Sequence, residues 1–169
     1  GLLMLALGGL LAAVYFLSKR EAKEISKGEE KTLKEKGGKI ESVSDKYVVI
    51  KIPIIGKRRI SWDTLKLISG ELWRTARIWL LKKKAARGEA MSQEDAELLA
   101  DYWISKGLWP SDKKARLQLV YNLKTGKARI REEEKGLTIE GALAGIAGVG
   151  NVYTGMAIPP RLTVASKNA

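Results

Sequence analysis

The chain has 169 residues, with 31 lysines and arginines against 19 aspartates and glutamates, a net charge of +12, and neither cysteine nor histidine. Without cysteine there is no disulfide framework and no thiolate chemistry, and the loss of histidine as well removes the commonest nucleophile–base pairs and nearly all zinc-site patterns. The classes left are a structural or binding protein, with a lysine- or carboxylate-based enzyme a remote third.

Residues 2–17 are uncharged and dominated by Leu, Ala and Gly, and Ser18, Lys19 and Arg20 follow directly. An apolar run closed by fixed positive charge predicts a single transmembrane helix over residues 1–18, with Leu2, Leu3, Leu5, Leu10 and Leu11 facing lipid. Tyr15 and Phe16 sit where interfacial aromatics are expected, and Lys19 and Arg20 extend their stems toward headgroups. Sixteen helical residues cover about 24 Å, short of a hydrocarbon core of about 30 Å. The chain starts at Gly1 without an initiator Met, so a processed start or further upstream residues are expected. A signal peptide would carry its charge before the apolar core and a small-residue cleavage site after it, the reverse of what stands here. The positive-inside rule puts everything after Arg20 on the cytoplasmic, or topologically equivalent interior, side.

Residues 19–38 hold seven basic and five acidic residues, with Ile25 and Leu33 the only large aliphatics. Glu–Lys spacings such as Glu30 to Lys34 predict a solvated helical stalk running on from the anchor to Gly37-Gly38.

Residues 39–60 switch to period two. Strands are predicted over 39–43, 47–54 and 58–60, with turns at Ser44-Asp45-Lys46 and Ile55-Gly56-Lys57. Val48, Ile50, Ile52 and Ile54 then share the core face, and Tyr47, Val49, Lys51 and Pro53 the other. Ser61 is read as the N-cap of one helix reaching about Lys84. Trp62, Leu65, Ile68, Leu72, Trp73, Ala76, Trp79 and Leu80 lie within one arc, which is expected to end its buried part near Leu81 and to cover the meander. Residues 37–87 carry thirteen basic and four acidic residues, so the positive field belongs to this segment. Such a field attracts anionic lipid headgroups, nucleic acid or an acidic protein surface. The candidate contacts are Lys57, Arg58, Arg59, Lys66, Arg74, Arg77, Lys82 and Lys84.

Residues 88–136 hold nine charges of each sign and predict a helical unit. Gly88 breaks the chain and Ser92 caps a helix bearing Leu98, Leu99, Tyr102 and Trp103. Ser111 is expected to cap a second, in which Leu117, Val120, Tyr121 and Leu123 permit a helix while Leu117, Leu119, Tyr121 and Leu123 alternate like a strand; helix is preferred. In the strand reading, Lys124–Lys127 would be a hairpin turn leading to 128–131. Asp95, Glu97 and Asp101 group early in the first of these helices and are read as favourable charge at a helix start rather than as a metal or acid–base site.

Residues 137–169 form a Gly-rich apolar tail. Gly141, Gly145 and Gly148 offer small surfaces for close packing. Pro159-Pro160 stops any helix, leaving 161–169 extended. An apolar tail with few large side chains is expected to order against other protein subunits.

No phosphate-binding loop, dinucleotide fingerprint, metal-ligand set or RNA-binding signature is present. No cofactor is expected. Abundant Lys and Glu with scarce Asn, Phe, His and Cys match a hot-environment composition. The expected fold class is α+β: anchor, charged stalk, small antiparallel β-meander packed on helices, and Gly-rich tail. The expected function is a non-enzymatic, membrane-anchored structural component of a larger assembly, such as a membrane-containing virion or an envelope-spanning machine. The alternative is a membrane-tethered nucleic-acid-binding module.

Overall fold

A computed structural model describes residues 22–134 and 136–140, and the backbone of 162–165. The expected anchor (Leu2 to Arg20, with Tyr15 and Phe16) and the tail glycines Gly141, Gly145 and Gly148 lie outside the described residues. Among the described residues no helix is long and apolar enough to cross a membrane.

The protein is α+β, with five helices and two mixed sheets among the described residues. The chain divides into two compact units after Ala76.

The first unit opens with a two-residue strand, β1 (Lys23–Glu24), followed by helix α1 (Lys27–Lys36). Ser26 caps α1: its Oγ accepts from the Glu29 N–H while the Glu29 carboxylate accepts from the Ser26 N–H, a reciprocal pair that fixes the helix start. Contrary to the expected stalk over residues 19–38, the charge-balanced helix is short and docked on the sheet. It begins at Lys27 and buries Leu33 completely against the sheet. One leucine on an otherwise polar helix gives no periodic signal, yet it suffices to dock the helix.

Strands β2 (Lys39–Val43), β3 (Tyr47–Ile52) and β4 (Gly56–Ser61) form the expected antiparallel meander, and β1 adds to β4 in parallel, giving the order β1-β4-β3-β2. Val48, Ile50, Ile52 and Ile60 are buried on one face with Leu33 and with Leu65 of α2 (Trp62–Ile68). Gly38 is required at the entry to β2, since a Cβ there would stand 2.5 Å from Ile50 Cγ2 and 3.1 Å from the Lys51 carbonyl. The meander's second turn falls at Pro53–Ile55, two residues earlier than expected, because Ile52 pairs with Gly56. Ile54 therefore leaves the core set and is 91% exposed at the hairpin tip.

Ser61 caps α2 as expected, its Oγ accepting from the Thr64 N–H. The single long helix is replaced by two. Ser69 adopts an extended conformation (φ −152°, ψ 104°), and its Oγ accepts from the Leu72 N–H, starting α3 (Gly70–Arg87). A serine that can cap, followed by a glycine with poor helix propensity, favours the break. The apolar arc survives it: Trp62, Ile68, Leu72, Trp73 and Ala76 all pack on the first core.

In the second unit, the remainder of α3, α4 (Gln93–Ser105) and α5 (Lys113–Thr125) enclose a core with Trp103, Leu99 and Leu119 fully buried. Burial on α3 extends past Leu81 to Ala85. Ser92 caps α4 as expected, but Asp112, not Ser111, caps α5 through the Ala115 N–H. Residues 117–123 are helical. Strands β5 (Arg129–Glu133) and β6 (Gly136–Glu140) pair antiparallel, and β7 (Leu162–Ala165) joins β6 in parallel. The first residues expected in the apolar tail are thus a core strand, with Leu137 and Ile139 fully buried.

Candidate functional site

The unusual chemistry of the first unit lies on the sheet face turned away from α1 and α2. Side chains alternate along β3, so burying Val48, Ile50 and Ile52 turns Tyr47, Val49 and Lys51 outward. In register, Lys51 stands opposite Lys39 on β2 and opposite Lys57 on β4. Three exposed lysines therefore form one row across three strands, with neighbouring Cβ atoms about 5 Å apart. Like charges placed directly opposite one another destabilise a sheet. Among the described ion pairs none involves these lysines. Glu41 lies in the irregularity between Ile40 and Ser42, off the regular ladder.

The row runs into an open cleft of about 620 Å³ at the hairpin end of the unit. Lys36 from the last turn of α1, with Lys39 and Lys51, supplies its charge; Gly38, Ile52, Pro53, Ile54 and Gly56 complete the wall. Ile54 has φ +73°, alone among described non-glycine residues in the left-handed region. Pro53 before it matches the first central position of a type II turn, whose second central position normally takes Gly or Asn. A β-branched residue there is strained.

Of the cations expected to face an anionic partner, the five in the first unit do not share one face. Lys57 joins the row just described. Arg58 projects to the core side and donates from Nε to both carboxylate oxygens of Glu29, at 3.1 and 3.0 Å. The Ser26 N–H and the Arg58 guanidinium hold the Glu29 carboxyl below its usual pKa, against a smaller opposing effect of desolvation. Arg59 lies over the Tyr47 ring at 5.3 Å, and Lys66 over Trp73 at 4.8 Å, both cation–π distances. Arg74 is exposed on α3.

In the second unit Arg77 is engaged bidentately by Asp95, at 3.1 and 2.7 Å. Lys82 pairs with Glu132 and donates to the Tyr102 hydroxyl at 3.3 Å. Burial alone would lower the Lys82 pKa, but these hydrogen bonds outweigh it and raise it. Lys84 is half-buried. The acidic trio disperses: Asp95 holds Arg77, Asp101 holds Arg116 at 2.8 Å, and Glu97 accepts from Gln93 at 3.0 Å. The Asp101 contact raises the Arg116 pKa. Among the described residues no group of three or more acidic side chains is placed to hold a metal.

Lys36, Lys39 and Lys51 were missed as candidates. The alternation of Lys51 with the core set is legible, but the row depends on where the second turn falls, since shifting it by two residues moves Lys57 from a turn into the ladder, and Lys36 lies on α1, outside that alternation.

Comparison with family models, with curated proteins and with solved structures finds no match for this chain.

Proposed function

We propose that this chain is a non-enzymatic, membrane-anchored structural component of a larger assembly, held by residues 1–18 and presenting its basic first unit to an anionic partner. The observation that carries this reading is the contrast between two sets of cations. Arg58, Arg77, Lys82 and Arg116 are each engaged by a carboxylate, whereas Lys39, Lys51 and Lys57 are aligned on one exposed face in mutual repulsion. Cations that serve the fold find internal counter-charges; a repulsive row is relieved by an external anion. The apolar run ending at Lys19-Arg20 supports the anchor and, by the positive-inside rule, favours the cytoplasmic or equivalent interior side for the first unit. A virion membrane or an envelope-spanning machine would use such a part, and the Gly-rich tail would pack on neighbouring subunits. Carboxylates held one by one in structural pairs support the non-enzymatic reading.

The test is an alkaline carbonate wash of the full chain reconstituted in neutral vesicles. The chain stays with the lipid, and a Leu10→Lys/Leu11→Lys variant is released. Release of the unsubstituted chain contradicts the proposal.

A further inference from the structure

We infer that the anionic partner is the surface of a bilayer carrying net-anionic lipid, engaged by the β3–β4 hairpin: Ile54 enters the interface while Lys39, Lys51, Lys57 and Lys36 meet the headgroups. This rests on the reading of the first unit as meeting an anion, and not on the anchor.

Four observations converge on one end of the unit. Ile54 is 91% exposed, against complete burial for Ile50 and Ile52 on the strand that leads into its turn. It sits at the outermost point of a hairpin, flanked by Pro53 and Ile55. Its backbone is held at φ +73°, where Gly or Asn would be unstrained. A strained, exposed, β-branched side chain serves neither turn formation nor core packing, and persistent strain of this kind marks functional positions. The cations surround that tip: Lys51 and Lys57 flank the turn on its two strands, and Lys39 and Lys36 line the adjoining cleft.

An apolar tip ringed by lysines complements an anionic membrane on both counts. The tip reaches the acyl boundary, and ammonium groups set back along the strands remain at headgroup level, where each strengthens attraction about fivefold. Duplex nucleic acid would use the lysines, but it could take the Ile54 side chain only by unstacking a base step, at a cost of a few kcal/mol, whereas a bilayer gains by burying it.

The sequence contains no cysteine, so a single one can be introduced at the tip. The full chain carrying Ile54→Cys, labelled with an environment-sensitive fluorophore, is reconstituted in phosphatidylcholine vesicles with or without phosphatidylserine. A second preparation carries the label at Glu94→Cys on α4. With phosphatidylserine present, the label at position 54 shifts to the blue and is quenched by lipids brominated near the headgroup, high salt reverses this, and the label at 94 stays aqueous. Each Lys→Gln substitution at 39, 51 or 57 lowers the ratio of inserted to aqueous label about fivefold. Circular dichroism and thermal melting show that these surface variants remain folded.

An aqueous label at 54 in both lipids overturns the inference, as does equal insertion without phosphatidylserine. An aqueous label whose emission instead responds to duplex DNA at low salt, and loses that response in Lys51→Glu, assigns the face to nucleic acid and also overturns it. If the chain separates from neutral vesicles yet its tip is quenched on anionic ones, the anchor fails and this inference stands. The converse result leaves the anchor and removes the tip.

Discussion

Arg58 of β4 grips the Glu29 carboxylate of α1 through Nε, 29 residues away in sequence. The same carboxylate closes the capping box at Ser26, so one side chain both starts the helix and ties it to the sheet. Its pKa is lowered in the folded chain. A lowered folded pKa contributes stability that is present above the unfolded value, about 4.3, and is lost as pH falls through the folded value. Thermal melting of the wild type should therefore drop below about pH 4 more steeply than that of Glu29→Gln. Parallel acid profiles for the two proteins would remove Glu29 from this role.

Lys82 makes the opposite case. Its folded pKa is raised, chiefly through Glu132 and Tyr102 acting against burial. Stability from this contact is complete below the unfolded lysine value, about 10.4, and is lost as pH rises through the folded value. Glu132→Gln should lower the melting temperature at neutral pH and flatten the decline above about pH 10. An unchanged alkaline profile in that variant contradicts the assignment.

Two glycines should respond with opposite sign. Gly126 ends α5 at φ +69°, and a Cβ there would lie 2.6 Å from the Gly88 carbonyl oxygen. Gly126→Ala combines left-handed strain with a backbone clash and should cost about 2 kcal/mol or more. Gly28 lies in the first turn of α1 with open space around it, so Gly28→Ala should stabilise by about 0.5 kcal/mol. Urea unfolding measures both.

The lysine row should be a cost to folding. Lys51→Glu turns two repulsive cross-strand pairs into attractive ones, a gain of roughly 0.5–1 kcal/mol at low salt that shrinks as salt screens it. Ile54→Gly relieves left-handed strain of about 1–2 kcal/mol. Part of that is offset by the greater freedom of glycine in the unfolded chain, about 0.5–1 kcal/mol. The net result is a modest stabilisation. A loss of stability in both variants would show that these residues serve the fold.

The parts of the fold legible in the sequence were those written in local chemistry. Ser61 and Ser92 announce their helices because a hydroxyl before an apolar repeat can satisfy a free N–H. The alternation of Val48, Ile50 and Ile52 fixes which face of β3 is buried. Non-local features were not legible. The two residues of β1 are too few to show a period, and their parallel pairing to β4 depends on chain more than thirty residues away. Leu33 docks α1 without any stripe. The break at Ser69 was hidden because the apolar arc continues across it. The lysine row was hidden for a related reason: cross-strand neighbours are set by turn position, and the Pro53–Ile55 turn tolerates a residue type that turn chemistry disfavours.

The central claim is that residues 1–18 are held in lipid while the cationic first unit faces an anionic surface. It is tested most directly by depth: a fluorophore on Leu10→Cys, in the full chain reconstituted in neutral vesicles, read with lipids brominated at different acyl positions. Strongest quenching by the most deeply brominated lipid is the predicted result. Emission from an aqueous or protein-buried probe, insensitive to bromine at any depth, would contradict the account.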